Sequence, residues 1–202
     1  MDRRAQIVRA AAAVLYARGY DGTTLALVAK QARLPLGNLY YYFRTKDELT
    51  SAVVDARIAE LGALFASAER GGQASPLRCI RRFLAAFEAG AEEIVAQGCP
   101  YGSLTQEMAR RRGALSRKAA GLFEVQLAWL SRQFRALGEG ARADDRAAEL
   151  ICAVQGACLL GLALHDPAMF RRRLREISRR LADQDRHAAL HRLSRSHHVS
   201  RR

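Results

Sequence analysis

Residues 24–49 read Thr-Leu-Ala-Leu-Val-Ala-Lys-Gln-Ala-Arg-Leu-Pro-Leu-Gly-Asn-Leu-Tyr-Tyr-Tyr-Phe-Arg-Thr-Lys-Asp-Glu-Leu. Thr24 carries the hydroxyl of a helix N-cap, and Leu25, Val28, Ala29 and Ala32 follow at helical spacing. Arg33-Leu34-Pro35 then interrupts the run, because proline disfavours helix in the residue before it and suits a first helical turn. A second short helix is predicted from about Leu36 to Phe43, with Leu39 and Phe43 four residues apart on one side. Two short helices joined by a tight turn form a helix-turn-helix, whose second helix enters the DNA major groove.

The composition of the second helix separates a reading surface from a plain core helix. Leu36, Leu39 and Phe43 are few aliphatics and aromatics for a buried helix, and its opening residues, Gly37 and Asn38, are small and polar. Tyr40, Tyr41 and Tyr42 point about 100° apart, so they cannot share one buried face and at least one is exposed. Tyrosine hydroxyls and ammonium groups suit phosphates, and asparagine can bond an adenine edge bidentately. Gly37, Asn38 and Tyr40 are therefore expected near bases, beside Leu36. Thr24, Tyr41, Tyr42 and Lys46 are expected on phosphates, with Arg33 adding positive charge. Half-buried packing remains the alternative for any single tyrosine.

The segment resembles the TetR/AcrR family of bacterial transcriptional regulators. The residues that carry the resemblance are Gly19-Tyr20, Thr23-Thr24, Val28-Ala29, Leu34, the run Gly37 to Phe43, Lys46 and Leu49. They cover about the first quarter of the chain. The family has glycine in the turn where this chain has Arg33. If that position has positive φ, the arginine bears a steric cost.

The chain's 202 residues have room for one large domain or two modest ones. Half of them are hydrophobic, and no long β-branched run alternates with polar residues, so an all-α fold is expected. A formal net charge of +13 and a pI near 10.6 favour a polyanionic partner, although the C-terminal segment supplies part of that charge. No uninterrupted apolar run approaches a membrane span of ~18 residues. Met1-Asp2-Arg3-Arg4 leads into an amphipathic helix rather than a signal-peptide core. A cytoplasmic protein is expected. Cys79, Cys99, Cys152 and Cys158 lack zinc or CxxC spacing and read as free thiols, so neither metal nor cofactor is expected.

Residues 3–18 place Ile7, Val8, Ala11, Val14 and Leu15 on one face and end at Gly19, a C-cap. With the helix-turn-helix they make a three-helix DNA-binding domain over 1–46. A helical ligand-binding and dimerisation domain is expected over 47–184, followed by a basic, flexible tail over 185–202. The second domain begins with a helix from Asp47 to about Ala68, then a Gly71-Gly72 loop, then Ser75-Pro76 as N-cap and first helical residue. One helix is expected from there to about Ala96. Another is expected over Ser103–Arg112, with Leu104 and Met108 inward. A third runs over Leu115–Leu137, with Phe123, Leu127, Leu130, Phe134 and Leu137 repeating. Two last helices are expected over Asp144–His165, buried on most sides, and from Pro167 to about Asp183. The resemblance implies that these two form a four-helix homodimer interface. The alternative is that they complete a monomer core.

No phosphate-binding glycine loop, H-E-x-x-H or Ser/His/Asp set is present, so an enzyme is not expected. The resemblance implies a one-component regulator, a repressor on a palindromic operator that is released by a small molecule. Phe83, Phe87, Tyr101, Leu104, Met108, Phe123, Gln126, Leu127 and Trp129 are candidates to line its pocket, and most would serve equally as core. No acidic or Arg/Ser cluster announces a charged ligand, so an apolar or aromatic one fits by default. Cys99, before Pro100 and near a helix N-terminus, is a candidate redox or electrophile sensor, against the alternative of a small buried residue. The segment Gly98 to Leu104, with Glu107, also resembles the sensor domains of some TetR regulators. A ligand-free architectural DNA-binding protein is the remaining alternative, and His197-His198 in the tail offers weak metal-binding potential only.

Overall fold

The computed structural model describes residues 2–70 and 75–199, excepting the side chains of 185 and 187–199. It is helical throughout, with no strand among the described residues. Contacts divide it into two compact units, one of residues 1–64 with 96–126 and one of 65–95 with the chain from 127 onward.

In the first unit, α1 (Arg3–Arg18) starts at Asp2, whose carboxylate accepts from the Arg4 and Ala5 amides at 2.9 and 3.3 Å. It stops at Gly19, where φ is 67° and the amide donates to the Leu15 carbonyl. Ile7, Val8, Ala11, Val14 and Leu15 are buried, as their spacing predicts. Each large aliphatic here contributes about 1.5–3 kcal/mol. α2 (Leu25–Gln31) is capped by Thr24, whose hydroxyl accepts from the Leu27 amide at 3.2 Å. α3 (Leu36–Tyr42) follows Pro35, and α4 (Lys46–Glu69) continues from this unit into the next. α7 (Gly102–Arg111) and the first half of α8 (Ala114–Ala136) complete the unit. Along that half of α8 the buried face is Ala119, Leu122 and Gln126, while Phe123 is half-buried. The predicted stripe through Phe123 and Leu127 is therefore rotated by about one residue.

In the second unit, Ser75 caps α5 (Pro76–Ala89) through its hydroxyl, with Pro76 in the first turn. The expected single helix to Ala96 is two helices. It breaks at Gly90, whose amide turns back to Ala86 and Glu88, and α6 (Ala91–Gln97) restarts from there. Residues 71–74, the predicted loop, lie outside the described residues. Phe65, Phe83, Phe87 and Trp129 fill the interior. The Phe65 and Trp129 rings are stacked with centroids 4.6 Å apart, and the Phe83 and Phe87 rings meet edge-on at 5.1 Å.

α9 (Ala143–Leu164) ends at His165, which adopts a left-handed conformation and turns its amide back on the helix. The sequence predicts burial on most sides, and the structure corrects this. Leu150, Ile151, Val154, Ala157 and Cys158 are buried, but Leu159, Leu160 and Leu164 are 66%, 50% and 63% exposed. By length and composition alone, the helical stretch 140–164 is also apolar enough to cross a bilayer, with mean hydropathy 1.9 over its most apolar 18-residue window. α10 (Pro167–Val199) packs on α5 and α9 through Phe170, Leu174 and Leu181. The sequence reading ends this helix near Asp183, whereas its backbone stays helical to Val199. No proline or glycine interrupts the alanine-, leucine- and arginine-rich continuation. The side chains of the expected tail, including His197 and His198, lie outside the described residues.

Candidate nucleic-acid interface

α3 is seven residues long and buries only Leu39. Phe43, just past its end, is also buried, under the Arg4 guanidinium at 5.1 Å. These two residues, four apart, anchor the helix by one side and leave the other to solvent. On the free side, Leu36 is 39%, Tyr40 49%, Tyr41 84% and Tyr42 36% exposed, and Asn38 is exposed as well. A Cβ added at Gly37 would meet nothing within 4 Å, so the glycine leaves open space for an approaching surface rather than for its own protein. Tyr41 and Tyr42 brace each other edge-on, with centroids 5.1 Å apart.

The turn before α3 is held from behind. Gln6 of α1 donates its side-chain amide to the Ala32 carbonyl at 2.8 Å. Arg33 has φ 54°, the left-handed conformation in which glycine is at ease and arginine is strained. Its side chain is exposed, as are Thr24 and Arg44. Arg44 stands immediately after α3 and was passed over in the sequence reading, because no motif position marks it.

Lys46 lies against the Tyr20 corner. Its ammonium donates to the Tyr20 carbonyl at 2.9 Å and lies 4.0 Å from the centroid of the Tyr20 ring. The Arg111 guanidinium from α7 covers the same ring at 4.4 Å, and the Tyr20 hydroxyl donates to the Asp47 carboxylate. Burial and the Asp47 carboxylate push the Tyr20 hydroxyl up to about 12. Glu107, also on α7, accepts from the Tyr20 and Asp21 amides at 2.7 and 3.2 Å, while Arg111 pairs with Asp21 at 2.7 Å. Tyr20 thus joins the α1–α2 corner, the start of α4 and α7. Lys46, Asp47, Glu107 and Arg111 lie 26 to 91 residues from it in sequence, so only the fold shows the cluster.

Residues 7–53 match the family described as bacterial regulatory proteins, tetR family, and residues 76–176 match the LmrA/YxaF-like transcriptional regulator C-terminal domain. The chain belongs to the TetR family. It is 31% identical over 137 residues to the transcriptional regulator AcuR of Cereibacter sphaeroides, covering 66% of this chain and 63% of AcuR. It is 36% identical over 83 residues to the regulator TtgR of Pseudomonas putida, covering 41% of this chain and 40% of TtgR. The chain thus spans less than two thirds of these curated relatives. Among solved structures, a regulatory protein TetR from Rhodobacter sphaeroides superposes with TM-score 0.75 at 25% identity, over 87% of this chain and 96% of that one. A TetR-family regulator from Agrobacterium tumefaciens gives TM-score 0.77 at 20% identity, over 88% and 96%, a likeness of fold.

The expected ligand-lining residues of this TetR-family chain divide between the two units. Phe83, Phe87, Leu127 and Trp129 belong to the second, where Trp129 also donates to the Glu69 carboxylate at 2.7 Å. Tyr101, Leu104, Met108, Phe123 and Gln126 belong to the first. Met108 and Gln126 are fully buried there, and burial raises the Tyr101 hydroxyl above its ordinary range. Gln126 donates its amide to the Leu122 carbonyl at 2.7 Å, but its side-chain oxygen has no hydrogen-bond partner among the described residues. Leu104 lines a cavity of about 230 Å³ with Tyr16, Arg57, Gln97 and Glu107. Cys99 is buried, and its sulfur accepts from the Gly102 amide at 3.4 Å. The exposed thiol is Cys152.

Proposed function

We propose that this chain is a one-component transcriptional regulator, a repressor that acts in the cytoplasm. It reads a palindromic operator as a homodimer and lets go when a small apolar or aromatic molecule binds. The observation that carries this reading is the display of α3, which holds itself by Leu39 and Phe43 and presents Gly37, Asn38 and Tyr40 outward. Asn38 and Tyr40 are suited to base edges, while Thr24, Arg33, Tyr41, Tyr42 and Arg44 are suited to phosphates. Lys46 is better suited to holding the Tyr20 corner, given where its ammonium lies.

The exposed Leu159, Leu160 and Leu164 on α9 support a two-fold mate, since three such side chains on one helix are costly to leave in water. A dimer places two reading helices one duplex turn apart. The orphaned Gln126 oxygen favours a ligand that brings a hydrogen-bond donor to the first unit. A molecule bound there would act on α7, whose Glu107 and Arg111 hold the α1–α2 corner. Ligand and operator would then oppose each other reciprocally.

Selecting bound fragments from the source genome tests this reading. One or a few pseudo-palindromic sites are expected, with release of the fragment by a small molecule that also raises the melting temperature. Many scattered sites and no responsive molecule would favour an architectural protein instead. Burial of Cys99 gives the thiol-switch reading no specific support.

A further inference from the structure

We propose that the groove between α5 and α10 is a binding site for a small polyphosphate anion, separate from the DNA-reading surface. The groove has a volume of about 600 Å³, within the range of sites for nucleotide-sized ligands. Its walls include Arg78, Arg81 and Arg82 on α5 and Arg175, Arg179 and Arg186 on α10. Only two carboxylates line it, Glu88 and Asp183, which leaves an excess of four positive charges in one concavity.

The local pairing sharpens the point. Glu88 holds Arg175 at 2.7 Å, Asp183 takes Arg186, and Arg179 is held from outside the groove by Glu176 at 2.7 Å. On the α5 wall, Arg81 and Arg82 bond to neutral groups. Arg81 donates to the Ser178 hydroxyl at 3.2 Å, and Arg82 donates to the Ala68 and Arg70 carbonyls at 2.9 Å each. Arg81 and Arg82 therefore meet no carboxylate in these bonds. Both stand within the first two turns of α5, which has no acidic residue in its first turn. Of the groove arginines on α5 only Arg78 stands in the first turn, where the backbone dipole favours an anion. Guanidinium forks match phosphate oxygens bidentately, and several forks along a groove fit a chain of phosphates better than one tetrahedral anion. The floor, Leu84, Ala85, Leu174 and Ala182, is apolar and has room for a base or other apolar group attached to the phosphates.

The test is calorimetric titration of the full chain, without DNA, with tripolyphosphate, adenosine triphosphate and sulfate at matched ionic strength. Tripolyphosphate is expected to bind at least tenfold more tightly than sulfate. Arg81→Ala is expected to weaken tripolyphosphate at least tenfold, with the control Arg132→Ala, an exposed arginine on α8 outside the groove, changing it less than twofold. Equal affinity for adenosine triphosphate would assign recognition to the phosphates, and tighter binding would add the apolar floor. Equal losses in Arg81→Ala and Arg132→Ala, or no preference over sulfate, would overturn the site and leave only diffuse charge. If Arg81→Ala instead weakened random-sequence duplex tenfold while tripolyphosphate failed to bind, the groove would be a DNA contact and the proposal would fall. Operator recognition through Asn38 is measured separately, so either reading can fail alone.

Discussion

Replacing Glu107 with alanine removes the acceptor that holds the α1–α2 corner to α7. The carboxylate takes the Tyr20 amide at 2.7 Å, a half-buried bond, and the Asp21 amide at 3.2 Å, an exposed one. A hydrogen bond to a charged group contributes roughly 1.5–3 kcal/mol, and the exposed bond counts for little because water replaces it. The expected loss is therefore about 2 kcal/mol, or about 4–8 °C in melting temperature for a chain of this size. Glu107→Gln keeps one acceptor oxygen and is expected to lose about half as much. Thermal unfolding followed by circular dichroism reads both variants. A Glu107→Ala protein that melts within about 1 °C of the wild type would refute the reasoning, since the corner would then be held without α7.

Three further outcomes follow from the same unit. Lys46→Ala is expected to cost about 1–2 kcal/mol of stability, through its carbonyl bond and its place on the Tyr20 ring, while the salt dependence of DNA binding stays nearly unchanged. A slope flattened by about one would restore Lys46 to the phosphates. Arg33→Gly relieves a left-handed arginine and is expected to stabilise by about 0.5–1 kcal/mol in a denaturant titration, net of the glycine's extra freedom when unfolded; a lower midpoint would count against strain there. The Tyr20 hydroxyl ionises near 12 in the fold against about 10 when unfolded. Its stabilisation is thus whole below pH 10 and is lost as pH rises toward 12. Over that window Tyr20→Phe should lose stability less steeply than the wild type, and parallel curves would contradict the assigned environment.

The helix-turn-helix was legible in the sequence because its signals are local: Thr24 as cap, Pro35 as break, Leu39 and Phe43 as anchors, and a polar opening that a core helix would not tolerate. The arginine in the turn was legible as a conditional strain, and the structure meets the condition with φ 54°. Signals that depend on what lies opposite a helix were not legible. Gly90 sits in an apolar run that reads as one helix, yet the chain breaks there into α5 and α6. On α8, spacing alone could not choose between the Phe123–Leu127 stripe and the adjacent one through Leu122, Gln126 and Trp129 that is buried. That Lys46 donates to the Tyr20 carbonyl was not legible either, because Tyr20 lies 26 residues earlier. The Tyr20 cluster combines five residues drawn from three segments, and no single stretch contains its pattern.

The most direct measurement compares wild-type and Asn38→Ala affinities for a selected operator and for random duplex of the same length, at one salt concentration. If α3 reads base edges, the variant should lose about 1–3 kcal/mol on the operator, roughly five- to 150-fold, and almost nothing on random duplex. Equal losses on both duplexes, or none on either, would contradict the claim that this exposed end of α3 reads sequence.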